Sequence, residues 1–111
     1  MRTESGYAWG KLYLAMLAMA TSTAPLPQRV ADAFRQHLSS LGRQNLPAFA
    51  HERLAAVRAR LLVVPQDGDD DLTVDPSAVS PTEAVAIAEE IFSLYDEIAR
   101  SDARDRAASQ A

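Results

Sequence analysis

The chemistry available to this 111-residue chain is carried by two histidines, His37 and His51, and by a run of aspartates in QDGDDDLTVDPSA. The chain has no cysteine, which removes disulfides, zinc ribbons and thiol nucleophiles. The histidines are far apart in sequence, and no paired-ligand spacing such as HExxH accompanies either, so each is expected at a surface or helix edge, not on a metal. Asp67, Asp69, Asp71 and Asp75 match the donor positions one, three, five and nine of a calcium loop. Leu72 and Ala78 stand where that loop needs its turn glycine and its bidentate glutamate. The segment therefore reads as a solvated acidic loop, with a weak divalent-ion site on Asp67, Asp69 and Asp71 as the alternative. No cofactor is expected.

A second chemistry would pair an arginine, to hold phosphate, with a histidine as general acid or base. Small helical ribonucleases of the HEPN type carry Arg and His four to six residues apart on one helix. Here seven residues separate Arg29 from His37, and seven separate Arg43 from His51. The spacing misses the motif, although Arg29 and His37 lie about two turns apart along one helix and so share a side. A metal-independent ribonuclease built on Arg29 and His37 is the enzymatic alternative; the chain is otherwise read as non-catalytic. Arg53, Arg58 and Arg60 form a basic edge that a nucleic-acid-binding regulator could use. The four glycines are scattered and make no phosphate cradle. The remaining candidate is YAWGKLYLAMLAM, rich in the aromatic and methionine side chains enriched at protein contacts. Trp9, Tyr13, Leu14 and Met19 are its expected contact residues.

Four helices must position these groups. The first is expected from about Ser5 to Thr21, with Trp9, Leu12, Tyr13, Met16, Leu17 and Ala20 on one face. Ala8, Ala15 and Ala18 make a small-residue strip beside it, and the helix is apolar nearly all round, with one internal charge, Lys11. Such a helix must be covered on several sides. TSTAPLPQR then breaks the run, with Ser22 or Thr23 expected to cap a second helix over about residues 25–41. Leu26, Val30, Ala33, Phe34, Leu38 and Leu41 form its stripe, and Gly42 is expected to end it in the left-handed conformation. Asn45 and Pro47 mark the start of a third helix. Its inner residues are Leu46, Phe49, Ala50, Leu54, Val57 and Leu61, and it ends before Pro65. Residues 63–80 form a long acidic connection in which LLVV and LTV either stay irregular or pair as a short β-hairpin. SPTE, residues 80–83, is a capping box opening a fourth helix that runs to about Asp102. Its expected stripe is Ala84, Val85, Ala88, Ile91, Phe92, Tyr95, Ile98 and Ala99. Residues 103–111, without an apolar anchor larger than alanine, are expected to fray.

LYLAMLAMATSTAPLP, residues 12–27, has a second reading as the apolar core and cleavage site of a signal peptide ending near Ala24. Pro25 directly after the cut and a helical stripe already under way at Trp9 favour a retained helix. The apolar run is about half the length of a membrane span, so no membrane contact is expected and the cytoplasm is the expected compartment. The arginine and alanine bias suits a GC-rich bacterial genome. The net charge of −4 is unevenly spread: residues 1–66 carry +5, residues 67–99 carry −10 and the rest +1. An internal or intersubunit charge match is the simplest account of that asymmetry. The expectation is an all-α, four-helix bundle over residues 1–102 with a long acidic loop between helices three and four. It works by self-association, as a dimer or higher oligomer, or as the accessory subunit of a bacterial complex.

Overall fold

The computed structural model describes residues 4–63, 73–74 and 79–110, and it is an all-α helical bundle. Helix α1 spans Glu4–Thr21, α2 Leu26–Ala33, α3 Ala48–Leu61 and α4 Pro81–Gln110. Helix α4 is the axis of the molecule. Its 30 residues extend about 45 Å at the helical rise, most of the 52 Å long dimension. Helices α1, α2 and α3 all pack against it, and α1 also packs along α2.

The core is a single apolar cluster. Helix α2 contributes Val30 and Ala33, continued by Phe34, Leu38 and Leu41; α3 contributes Ala50, Leu54, Val57 and Leu61. Both stripes match their expected periodicity except at Phe49, which lies on the surface. Helices α1 and α4 differ from expectation in the same way. In α1 the buried residues are Ala8, Leu12, Ala15 and Met19, while Trp9, Tyr13 and Leu17 are exposed. The inner face is thus rotated by one residue, about 100°, so that the small-residue strip faces in. Ala8 and Ala15 have no bulk to hold neighbouring helices apart, and that decides which apolar side goes inward. In α4 the buried line is Ala84, Ile87, Ile91, Leu94 and Ile98, and the expected Val85 and Phe92 are on the surface.

Helix ends follow local chemistry, with four corrections. Helix α2 begins after Pro25, and neither Ser22 nor Thr23 is its cap. Instead the Ser22 Oγ accepts a hydrogen bond from the Ala24 amide at 3.1 Å inside the connection. At its far end α2 widens into a π-turn, Phe34–Leu38, closed by the Ser39 amide donating to the Phe34 carbonyl at 2.8 Å. Gly42 is extended, with φ −133° and ψ −172°, and not left-handed; the wide turn has already ended the helix. A short 3₁₀ turn, Arg43–Asn45, follows. Asn45 does not cap α3; its side-chain oxygen accepts from the Gly42 amide at 3.2 Å. Helix α4 opens with Ser80 as its cap, the Glu83 amide donating to Ser80 Oγ at 3.1 Å. It then continues to Gln110, past the expected end near Asp102. Ala103, Ala107 and Ala108 are strong helix formers, and no glycine or proline interrupts them.

Two residues of each flank of the long connection pair antiparallel, Leu62 with Val74 and Val63 with Thr73. The acidic run with Asp67, Asp69, Asp71 and Asp75 lies outside the described residues. No helix among the described residues is long and apolar enough to cross a membrane.

Candidate interaction face on α1 and α4

Helix α1 carries one aromatic or large aliphatic side chain on almost every outward turn. Tyr7, Trp9, Tyr13, Leu14 and Leu17 are all exposed. Trp9 stacks on Tyr13, with ring centroids 5.6 Å apart and 17° between planes. It also stacks on Tyr95 of α4, at 5.7 Å and 29°. The two contacts join the outer sides of α1 and α4 into one surface. On α4 that surface continues through Phe92, 56% exposed, and Val85, with Ala88 and Tyr95 half-buried beneath them and Met16 of α1 beside them.

The sequence of α4 explains how one helix serves both the core and this face. Apolar residues come in adjacent pairs: Ala84–Val85, Ile87–Ala88, Ile91–Phe92, Leu94–Tyr95 and Ile98–Ala99. The first member of each pair is buried. The second members repeat at the alternating three- and four-residue spacing of a helix-packing seam; Val85 and Phe92 are exposed, and Ala88, Tyr95 and Ala99 are half-buried. Phe92, Val85, Tyr95, Tyr7 and Leu17 were not among the expected contact residues. Of the expected contacts, Trp9, Tyr13 and Leu14 lie on the face. Met19 is corrected to a core residue, 8% exposed, because it continues the inward line of Ala8, Leu12 and Ala15.

The face is edged by charge of opposite sign. Lys11 borders it on α1, its Nζ 5.7 Å from the centre of the Tyr7 ring. Glu89 and Asp96 border it on α4, one helical turn to either side of Phe92. Asp96 accepts a hydrogen bond from Arg100 Nε at 3.1 Å.

Of the residues considered for catalysis and nucleic-acid binding, Arg29, Arg53 and Arg58 make contacts within the fold. Arg29 donates from Nε to the Ala24 carbonyl at 2.8 Å and from Nη1 to the Met19 carbonyl at 3.1 Å. At the C-terminal end of α1 this cation satisfies the Met19 carbonyl, which the helix itself leaves open, and ties it to the connection at Ala24. His37 sits half-buried in the π-turn. Arg58 donates to the Ser39 and Leu41 carbonyls, at 3.0 and 3.3 Å, and lies over the Phe34 ring at 5.4 Å. It thus closes the end of α2 that Gly42 was expected to close. Arg53 binds the acidic side of α4: Nε donates to Glu90 at 2.6 Å, Nη2 to Ser93 at 2.9 Å, and Nη1 to Glu97. Burial alone would lower the Arg53 pKa, but its hydrogen bonds and charge attraction to Glu90 and Glu97 hold it above the ordinary value. Arg60 is exposed at the same edge.

His51 Nε2 lies 2.9 Å from the Leu46 carbonyl and 3.1 Å from the Arg43 carbonyl. Carbonyls only accept, so this nitrogen carries the proton, and the ring ties the 3₁₀ turn to α3. A cavity of about 220 Å³ opens beside it, lined by Leu41, Arg43, Leu46, Glu52 and Arg58 among others. Among the described residues no cluster of three or more histidine, aspartate or glutamate side chains is placed to hold a metal ion. Comparison with protein-family models, with curated proteins and with solved structures found no match to this chain.

Proposed function

We propose that this chain is a non-catalytic helical protein that works by association, and that the α1–α4 face is where it associates. The observation that carries this reading is the continuous aromatic surface of Trp9, Tyr13, Tyr95 and Phe92. At roughly 200 Å² per aromatic side chain, the exposed fractions of Tyr7, Trp9, Tyr13 and Phe92, between 37% and 56%, leave on the order of 350 Å² in water. Leu14, Leu17 and Val85 bring the face to on the order of 600 Å², the upper end for a soluble monomer and a size that marks interaction sites.

The alternative chemistries find less support. Arg29 is occupied with backbone carbonyls, and Arg53 and Arg58 are spent on Glu90, Glu97 and the end of α2.

Photo-crosslinking in the cell tests the reading. A photoreactive residue at Tyr13 or at Phe92 is expected to give discrete protein adducts, and one at Glu52, exposed on α3, is not. Equal labelling at all three positions, or no adduct at Tyr13 and Phe92, overturns it.

A further inference from the structure

We infer that the occupant of the α1–α4 face is a second copy of this chain, docked face to face about a two-fold axis that passes near Trp9. The inference rests on the association reading and adds the partner.

The first argument is area. A stable interface of ordinary size buries about 800 Å² on each partner. The exposed apolar side chains supply on the order of 600 Å² of that, and the bordering polar residues supply the rest. One copy therefore offers a whole side of such an interface, with no further surface required.

The second argument is the order of charge across the face. From one edge to the other run Lys11, then Tyr7 and Leu14, then Leu17 and Tyr13, then Trp9, which meets Tyr95, then Phe92 and Val85, and last Glu89 and Asp96. This order follows from the 100° step of each helix and from the Trp9–Tyr95 contact that joins the two. A two-fold axis perpendicular to a surface exchanges its left and right edges. Lys11 of one copy then faces the α4 edge of the other that carries Glu89 and the Asp96–Arg100 pair, twice over. α1 of each copy lies against α4 of its partner, closing a second layer of four helices. Laying α4 directly on its own copy would instead set that edge against itself, where Glu89 and Asp96 outnumber Arg100, which is costly at an interface. Between Ser5 and Thr21 α1 carries no acid, Lys11 being its one charged residue there.

Sedimentation of the purified full chain tests this. At tens of micromolar the expected mass is about twice the 12.0 kDa of one chain. Phe92→Glu is expected to sediment as one chain while keeping its helical circular dichroism and a cooperative melt. Lys11→Glu and Glu89→Lys are each expected to weaken the dimer about tenfold, and the double variant to recover most of that loss. A one-chain mass for the unaltered protein overturns the inference. In that case crosslinked adducts at Tyr13 and Phe92 to a different protein would leave the association reading standing, and their absence would remove both. A Phe92→Glu variant that stays paired, or a double variant as weak as the two single ones, overturns the two-fold arrangement.

Discussion

Arg29 and Arg58 each reach across a turn to carbonyls that a helix end leaves open. Hydrogen bonds from a charged donor are worth more than neutral ones, and both guanidinium groups are partly buried. Arg29→Ala and Arg58→Ala are each expected to lower the free energy of unfolding by about 1–3 kcal/mol, measured by urea denaturation. For this reason the ribonuclease alternative must be tested at His37 and not at Arg29, where lost activity and lost structure would coincide. His37→Ala is expected to leave the fold intact. Neither arginine could be assigned this work from its position in the sequence. Arg29 follows its target Met19 by ten residues and Arg58 follows Ser39 by nineteen, so the bonds exist only once the turns between them are formed.

The Arg53 contacts tie α3 to α4 and make part of the charge asymmetry along the chain an internal match. Its cluster with Glu90, Ser93 and Glu97 is half open to water, so Arg53→Ala is expected to cost about 1–2 kcal/mol, less in high salt. A raised guanidinium pKa places its stabilisation fully below the unfolded value and removes it only as pH climbs past the folded one. The difference in stability between the parent and Arg53→Met should therefore be flat through the neutral and mildly alkaline range. A difference that fades near neutrality would contradict the assignment. The neighbouring positions Ile91 and Phe92 give a sharper contrast. Ile91→Ala removes a fully buried side chain and is expected to cost about 2–5 kcal/mol. Phe92→Ala, in dilute solution where copies are apart, is expected to cost under about 1 kcal/mol. Helix number, the order of elements and most helix starts were legible, because Pro25, Pro47 and SPTE act locally. The rotation of α1 and α4 was not. Both helices are apolar on two adjacent sides, and periodicity alone does not say which side the core takes. Close approach at Ala8 and Ala15 does.

At the scale of the whole molecule, the large side chains assigned inward by periodicity and found outward by structure fall on the α1–α4 surface, Phe49 of α3 excepted. Trp9, Tyr13 and Leu17 on α1 and Val85 and Phe92 on α4 look like core residues because, in the inferred pair, they are. That reading also accounts for a chain of this size keeping so apolar a first helix. Trp9 is the one tryptophan in the chain, and it sits between two tyrosine rings at the middle of this surface. The protein thus carries its own optical gauge. When copies separate on dilution, the indole gains water, and its emission should move to longer wavelength along the same curve that tracks the mass. A spectrum that ignores concentration while the mass changes would mean that copies meet somewhere else.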